Sequence, residues 1–343
     1  MSVIPEDKHR TVTDHGGSLE RARGLFPDAP LPWIDLSTGI NPHSYPHPPV
    51  SATALSRLPE PADAARLAGI AAKAYGAPSP AHVVPAPGTQ ILLPLVMELV
   101  PPGRAAVLSP TYAEHARAAA LVGHRVRETA DFGDLAAADI AVAVNPNNPD
   151  GRIMPRVDLI ELARTLGKRG GLLVVDEAFM EVGPAAESLA GEVEGLPVVV
   201  LRSFGKFFGL AGVRLGFALA AQATAARLAA RLGPWAVSGP ALEIGIAALA
   251  DRDWQAAMRG RLEKESQRLD DLIRNAGLTL CGGAALFRLA RHPKAAELFA
   301  VLGAHGILVR RFERDAALLR FGLPGDEAAW TRLRVALDLW SGA

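Results

Sequence analysis

The chain has 343 residues, 49% of them hydrophobic, enough to bury the core of one or two domains. Lys plus Arg and Asp plus Glu each number 36, so no overall field draws the chain to nucleic acid or to a membrane surface. Its one cysteine, Cys281, excludes an intrachain disulfide and suits a reducing compartment.

Met1–Lys8 lacks the basic-then-apolar pattern of a secretory leader. The most apolar stretch, Ile91–Val100, contains Pro94 and Glu98 and is too short to span a bilayer. A cytoplasmic globular protein is expected. The first thirty or so residues are polar and turn-rich, with His15-Gly16-Gly17 standing out. Trp33–Pro42 reads as a short strand leaving into a loop, and Pro42, Pro46, Pro48 and Pro49 then forbid helix. A helix is predicted from Pro61 to Tyr75, stopped by Gly76.

From residue 82 onward, short apolar runs alternate with helical patterns. Strands are predicted at 82–85, 104–108, 139–144, 171–176, 197–202 and 214–219, with helices at 89–100, 112–122 and 156–169. This alternation predicts an α/β fold: a large domain with a mostly parallel sheet, helices on both faces and ligands at the carboxyl ends of the strands. After Gly233-Pro234 a long helical region runs to Asn275. A strand (284–289), a helix (294–303), strands near 306–312 and 317–322, and a closing helix (325–340) follow. The expected division is a large domain over 45–235 and a smaller α+β domain made of 1–44 and 236–343.

Several loops at the predicted strand ends carry chemistry. Lys206 lies among four glycines directly after the apolar run Leu196–Leu201, with Ser203 before it and Arg214 after it. Desolvation at a strand mouth makes a lysine a usable imine-forming amine; the plainer alternative is a solvated surface lysine. Gly88-Thr89 ends a strand and opens a helix, where free amides and a hydroxyl suit an anion or simply a cap. Tyr112 can stack on a flat ring or fill a strand end. Asn148 lies in the turn Asn145–Gly151. Asp176 ends a very apolar strand, and a buried carboxylate there needs a cation or strong donors. Arg310 and Arg320, in the C-terminal part, suit a carboxylate or a phosphate, or the ordinary surface. The nine histidines and one cysteine show no metal-ligand spacing, so no metal is expected.

Ser203–Gly216 resembles the S-x-S-K-x-x-G-x-x-G-x-R-x-G signature of fold-type I pyridoxal-phosphate enzymes, with Gly205 in place of its second serine. Asn145–Gly151 resembles the N-P-N-N-P-T-G turn of the aminotransferases among them, with Asp150 in place of threonine. The branch most similar is that of histidinol-phosphate aminotransferases. Within it, His15–Gly17, Asp35–Pro42 and Asp176–Phe179 resemble the threonine-phosphate decarboxylases of cobalamin biosynthesis.

The resemblance implies pyridoxal 5'-phosphate as cofactor. Lys206 is to bind it covalently, Asp176 to pair with its pyridine nitrogen, Asn148 to reach its ring oxygen and Tyr112 to stack on it. Gly88, Thr89, Ser203 and Arg214 are to hold its phosphate. Arg320 and Arg310 are to meet the anionic ends of a small phosphorylated amino acid, with His15, Gly16, Asn41 and Asn148 around it. A homodimer is implied as well. Two positions depart from the aminotransferase pattern: Phe179 stands where tyrosine is usual, and Arg57-Leu58-Pro59-Glu60 lacks the tyrosine that reaches the neighbouring subunit. The first departure favours a decarboxylase over an aminotransferase. A transcription regulator built on the same fold would carry a basic DNA-binding module ahead of it, which the neutral N-terminal stretch does not suggest.

Overall fold

The computed structural model describes residues 16–341. α1 (Leu19–Leu25) and β1 (Ile34–Leu36) come first, then α2 (Ala52–Ser56) and α3 (Pro61–Tyr75). α3 begins with Pro61, where an N–H is not needed, and ends on Gly76 at φ 78°. The alternating stretch is β2 (Val83–Ala86), α4 (Thr89–Met97), β3 (Arg104–Leu108), α5 (Glu114–Leu121), β4 (Arg125–Thr129) and β5 (Ile140–Val144). It continues with α6 (Arg156–Gly167), β6 (Leu172–Asp176), β7 (Val198–Ser203), α7 (Phe204–Phe207), β8 (Gly216–Ala220) and α8 (Gln222–Leu232). Then come α9 (Gly239–Ala250), α10 (Arg252–Asn275), β9 (Thr279–Ala284) and β10 (Phe287–Arg291). The last elements are α11 (Ala295–Ala304), β11 (Ile307–Arg311), β12 (Leu318–Gly322) and α12 (Glu327–Ser341).

Four details differ from the sequence expectation. β4 is a polar edge strand, Arg-Val-Arg-Glu-Thr, whose charges hide its strand character while blunting the sheet edge. α8 fills the gap between the strand ending at Ala220 and Gly233. The helical region before Asn275 is two helices, because the Asp251 carboxylate accepts from the Trp254 N–H and starts α10 afresh. The single strand expected at 284–289 is the hairpin β9–β10.

The described residues form two compact units. The first comprises Tyr45–Asn148 and Ile153–Gln255; the second comprises the residues up to Ser44, Pro149–Arg152, and those from Ala256 onward. The division falls at 255 rather than 235 because α9 packs back on α3. Gly245 there leaves no room for a side chain: a Cβ would lie 2.5 Å from Leu215 and 3.2 Å from Leu67. Pro149–Arg152 joins the second unit because Asp150 and Gly151 lie flush on the backbone of Gly282 and Gly283, where added side chains would collide.

In the first unit seven strands run in the order β2-β8-β7-β6-β5-β3-β4. β4, β3, β5, β6 and β7 are parallel, and β8 runs antiparallel to both β7 and β2. One face buries Val107, Val142, Val174 and Leu201 against Leu92 and Val96 of α4. Each such side chain contributes about 1.5–3 kcal/mol of burial. The chain leaves β3 toward β4 on one side and β5 toward β6 and β7 on the other, a switch point of the kind that opens a crevice at the carboxyl ends of strands. The second unit is a five-stranded sheet, β1-β11-β12-β10-β9, with β1 parallel to β11 and the other pairs antiparallel. Among the described residues no helix is long and apolar enough to cross a membrane.

Candidate active site

Lys206 lies in the single helical turn α7, straight after β7. Its neighbours Phe204, Phe207 and Phe208 are all buried. Phe208 stacks on Trp254 at 5.7 Å and on Phe204 at 4.5 Å, and its carbonyl accepts from the Tyr45 N–H. Three anchored aromatics thus fix a short turn that has little helical stability of its own. The Lys206 Nζ sits 5.9 Å from the centre of the Phe179 ring. Phe179 therefore presents an apolar face to the amine and no hydroxyl.

An anion cradle lies beside it. Gly88 caps α4 at φ 85°, and a Cβ built on it would be 2.8 Å from Arg214 Nη2. Arg214 itself holds a left-handed backbone, φ 55°, unusual for a residue with a side chain. Ser203 pairs in register with Gly216, and a Cβ on Gly216 would lie 2.7 Å from the Thr89 amide nitrogen. Gly88, Thr89, Ser203 and Arg214 are thereby brought together: helix-start amides, two hydroxyls and a guanidinium, the donors a phosphate requires.

Asp176 closes β6 and is buried. Its carboxylate accepts from the Ala178 N–H at 3.0 Å and meets His115 Nε2 at 2.9 Å. His115 is fully buried, and its Nδ1 has no hydrogen-bond partner among the described residues. With its proton on Nε2 the ring donates to the carboxylate and leaves an acceptor rather than an unmet donor at Nδ1. The Asp176 carboxylate is thus held in place by His115 and by the Ala178 N–H.

Tyr112 meets His115 edge-on at 5.9 Å and donates from its hydroxyl to Gln90, the residue after Thr89. Burial, with the charges of Glu114 and Asp176, pushes the Tyr112 phenol up to about 12, against a smaller opposing effect of Arg214. The turn after β5 is held by Asn147, which accepts from Thr111 and donates to the Pro110 carbonyl, and by Asn145, whose N–H donates to the Asp176 carbonyl. Asn148 lies within this turn, half-buried. The first unit therefore gathers Gly88, Thr89, Tyr112, Asn148, Asp176, Ser203, Lys206 and Arg214 at neighbouring strand ends.

The second unit holds the other expected residues. Arg310 and Arg320 are directly opposed across β11 and β12. Arg320 is buried, donates to the Ser37 carbonyl at 2.7 Å and lies 5.1 Å over the Phe287 ring. Burial, and then repulsion from Arg310, push its guanidinium down to about 10, with Asp35 opposing. It remains charged at neutral pH. Arg311 turns to the other face of the strand and stacks over Phe299 at 4.3 Å. Gly16 lies so close to the Ser37 carbonyl that a Cβ would be 2.5 Å from its oxygen, and Gly17 donates to Ser37 Oγ. Gly16, Gly17, Arg21, Ser37, Arg310 and Arg311 line one small cavity. Asn41 is buried, its side chain accepting from the His43 N–H. His15 lies outside the described residues.

Sequence reasoning missed His115 and Gln90. A lone histidine or glutamine carries no motif. The available signal was position: His115 sits one helical turn from Tyr112, and Gln90 directly follows the Gly88-Thr89 cap.

The donor set fits pyridoxal phosphate. An amine, an acid and an anion cradle match its aldehyde, ring nitrogen and phosphate, and Gly88, having no side chain, lets the Arg214 guanidinium come up against the α4 start. A family model described as aminotransferase class I and II matches residues 62–337. The chain is 45% identical to a threonine-phosphate decarboxylase of Pseudomonas aeruginosa, covering 95% of this chain and 97% of that one. It is 43% identical to a threonine-phosphate decarboxylase of Sinorhizobium, covering 94% and 97%. Its fold is similar to that of the histidinol-phosphate aminotransferase of Sinorhizobium meliloti in complex with pyridoxal-5'-phosphate, with a TM-score of 0.80 at 22% identity, covering 97% and 98%. Strand order, donor set and sequence agree: the chain belongs to the aminotransferase class I and II family.

Proposed function

We propose that the protein is a pyridoxal-phosphate-dependent carboxy-lyase that decarboxylates L-threonine O-3-phosphate to (R)-1-amino-2-propanol O-2-phosphate, a step of cobalamin biosynthesis. The observation that carries this reading is the opposition of Arg310 and Arg320. Two guanidinium groups set opposite each other across neighbouring strands make a local positive field that suits an anionic ligand. A phosphorylated amino acid offers a phosphate and a carboxylate. The names of the two decarboxylases similar over nearly the whole chain support the same substrate.

With pyridoxal phosphate bound, Lys206 would hold it through its Nζ, Asp176 would pair with the ring nitrogen, Asn148 would donate to the ring oxygen and Tyr112 would stack on the ring. When bound, pyridoxal phosphate supplies a sink for the electron pair left as a bond at the substrate Cα breaks. Arg310 and Arg320 decide which bond that is by fixing the phosphate and carboxylate, with Gly16, Asn41 and His15 assigned to the same end of the substrate. Once carbon dioxide has left, Cα must gain a proton, for which Lys206 Nζ and a nearby acid are the candidate donors.

We also place the protein in the cytoplasm and read it as a homodimer. Leu55, Leu58 and Trp235 are more than half exposed, on two segments that pack together where Gly239 meets Ala54. Such an apolar patch suits a second copy of the chain. The activity test is to measure carbon dioxide release from threonine phosphate beside glutamate formation from 2-oxoglutarate with histidinol phosphate. Carbon dioxide release alone is expected. Transamination of histidinol phosphate without it would sink the decarboxylase reading and leave the family intact.

A further inference from the structure

Behind the strands that present Asp176 and Ser203 lies a buried charge cluster that the reaction above does not use. Arg202 Nη1 donates to Glu177 Oε2 at 2.8 Å, and Arg202 Nη2 is 3.4 Å from Glu181 Oε1. The guanidinium carbon also lies 4.4 Å over the ring of Tyr75, a residue of α3. All four side chains are buried. Glu177 is further held by the Ser188 hydroxyl at 2.6 Å and the Leu189 N–H at 2.8 Å. Two carboxylates thus share one guanidinium in a dry place, and burial holds the Glu181 carboxyl above the usual carboxylate range.

Stability alone does not explain this cluster. A buried ion pair seldom stabilises more than apolar residues of similar size, and the neighbouring positions Val175 and Val200 show that this part of the sheet accepts apolar side chains. Register does explain it. Asp176 pairs with Leu201, and the Glu177 N–H donates to the Leu201 carbonyl at 2.9 Å at the very end of the β6–β7 ladder. Side chains alternate along a strand, so Glu177 and Arg202 point to the face opposite Asp176 and Ser203. The ion pair therefore ties the two strand ends together from behind, one residue after Asp176 and one residue before Ser203, the cap of the turn that carries Lys206.

We propose that Arg202, held by Glu177 and Glu181, is a positioning residue. It fixes the spacing between Asp176 on β6 and the Ser203–Lys206 exit of β7, and hence the hold on both ends of the cofactor. The inference rests on the reading of this site as a pyridoxal-phosphate site. Supporting groups of this kind typically change affinity or activity about 10- to 100-fold when lost.

The test compares the unaltered enzyme with Arg202→Gln, Arg202→Lys and the triple variant Arg202→Met/Glu177→Gln/Glu181→Gln. Three quantities are read: melting temperature, dissociation constant for pyridoxal phosphate by equilibrium dialysis, and the split between kcat and KM. Arg202→Gln strands two buried carboxylates and is expected to lower the melting temperature. The triple variant removes all three charges together and is expected to melt within about 2 °C of the unaltered enzyme. Its cofactor dissociation constant is nevertheless expected to stay roughly tenfold or more weaker, with kcat reduced by a similar factor and KM little changed. Arg202→Lys, which keeps the charge but loses the fork, should fall between the two. If cofactor affinity and kcat return to normal along with the melting temperature, the cluster is structural and the proposal is overturned. If the unaltered enzyme binds no pyridoxal phosphate, the underlying reading fails and takes this proposal with it.

Discussion

Gly88 and Arg214 are in direct contact: a Cβ on residue 88 would stand 2.8 Å from the guanidinium Nη2. Gly88 also holds φ 85°, where a side chain is strained whatever the space. Gly88→Ala is therefore expected to push Arg214 off the α4 start and to weaken pyridoxal-phosphate binding. At φ 85° and ψ 161°, a region essentially restricted to glycine, the backbone strain is on the order of 1–3 kcal/mol, which together with the displaced guanidinium predicts a loss of roughly tenfold or more in affinity. Fluorescence titration of the apoenzyme measures it. Unchanged affinity would mean that Arg214 does not serve the phosphate.

Asp176→Asn is expected to keep the fold and much of the cofactor binding while losing turnover by about two orders of magnitude or more, since an amide cannot hold a protonated ring nitrogen. His115→Ala should act in the same direction more weakly, by roughly tenfold, because it removes the donor that steadies the carboxylate. Circular dichroism and carbon dioxide release, taken together, check both. Near-normal activity of Asp176→Asn would make Asp176 a structural acid.

Specificity follows from the arginine pair. On the proposed reading, the buried Arg320 and its neighbour Arg310 lose an anionic partner when the substrate lacks its phosphate, and truncating one partner of a buried charge pair costs on the order of 2–5 kcal/mol. Unphosphorylated threonine should be turned over about a hundredfold less well in kcat/KM, or worse. Arg320→Ala should narrow that gap if Arg320 meets the phosphate, and should hurt both substrates alike if it meets the carboxylate. Equal turnover of the two substrates by the unaltered enzyme would remove the basis for a phosphate site.

Tyr112 makes a pH prediction. Its folded-state phenol lies at about 12, above the ordinary 10.0 of an unfolded tyrosine. A raised pKa means that its contribution to stability is complete below pH 10 and is lost as pH climbs toward 12. The difference in melting temperature between the unaltered protein and Tyr112→Phe should shrink over that interval and stay flat below it. A difference that changes between pH 7 and 9 instead would show that Tyr112 ionises early.

The dimer makes a further one. Light scattering at low micromolar concentration is expected to give two copies, and Leu58→Glu combined with Trp235→Glu is expected to give one. A monomer before any substitution would count against the shared patch.

The sequence by itself determined the α/β alternation of the first unit. Its strands are short solid apolar runs separated by helical spacing, and that local signal survives without tertiary contacts. It also determined the place of Lys206, Asp176 and Arg214, because each follows or ends such a run in a recognisable motif. Tertiary structure alone decided what those residues touch. His115 reaches Asp176, and Gln90 reaches Tyr112, from helices separated from them in sequence, so no local pattern records either contact. The choice of Arg310 over Arg311 as the partner of Arg320 depends on strand register, which a two-residue Arg-Arg run leaves open. The division at 255 likewise depends on Gly245 admitting Leu67 and Leu215, a close approach between segments far apart along the chain. Arg202 and Glu177 look like stray charges in apolar strands until pairing sets them side by side on one face of the sheet.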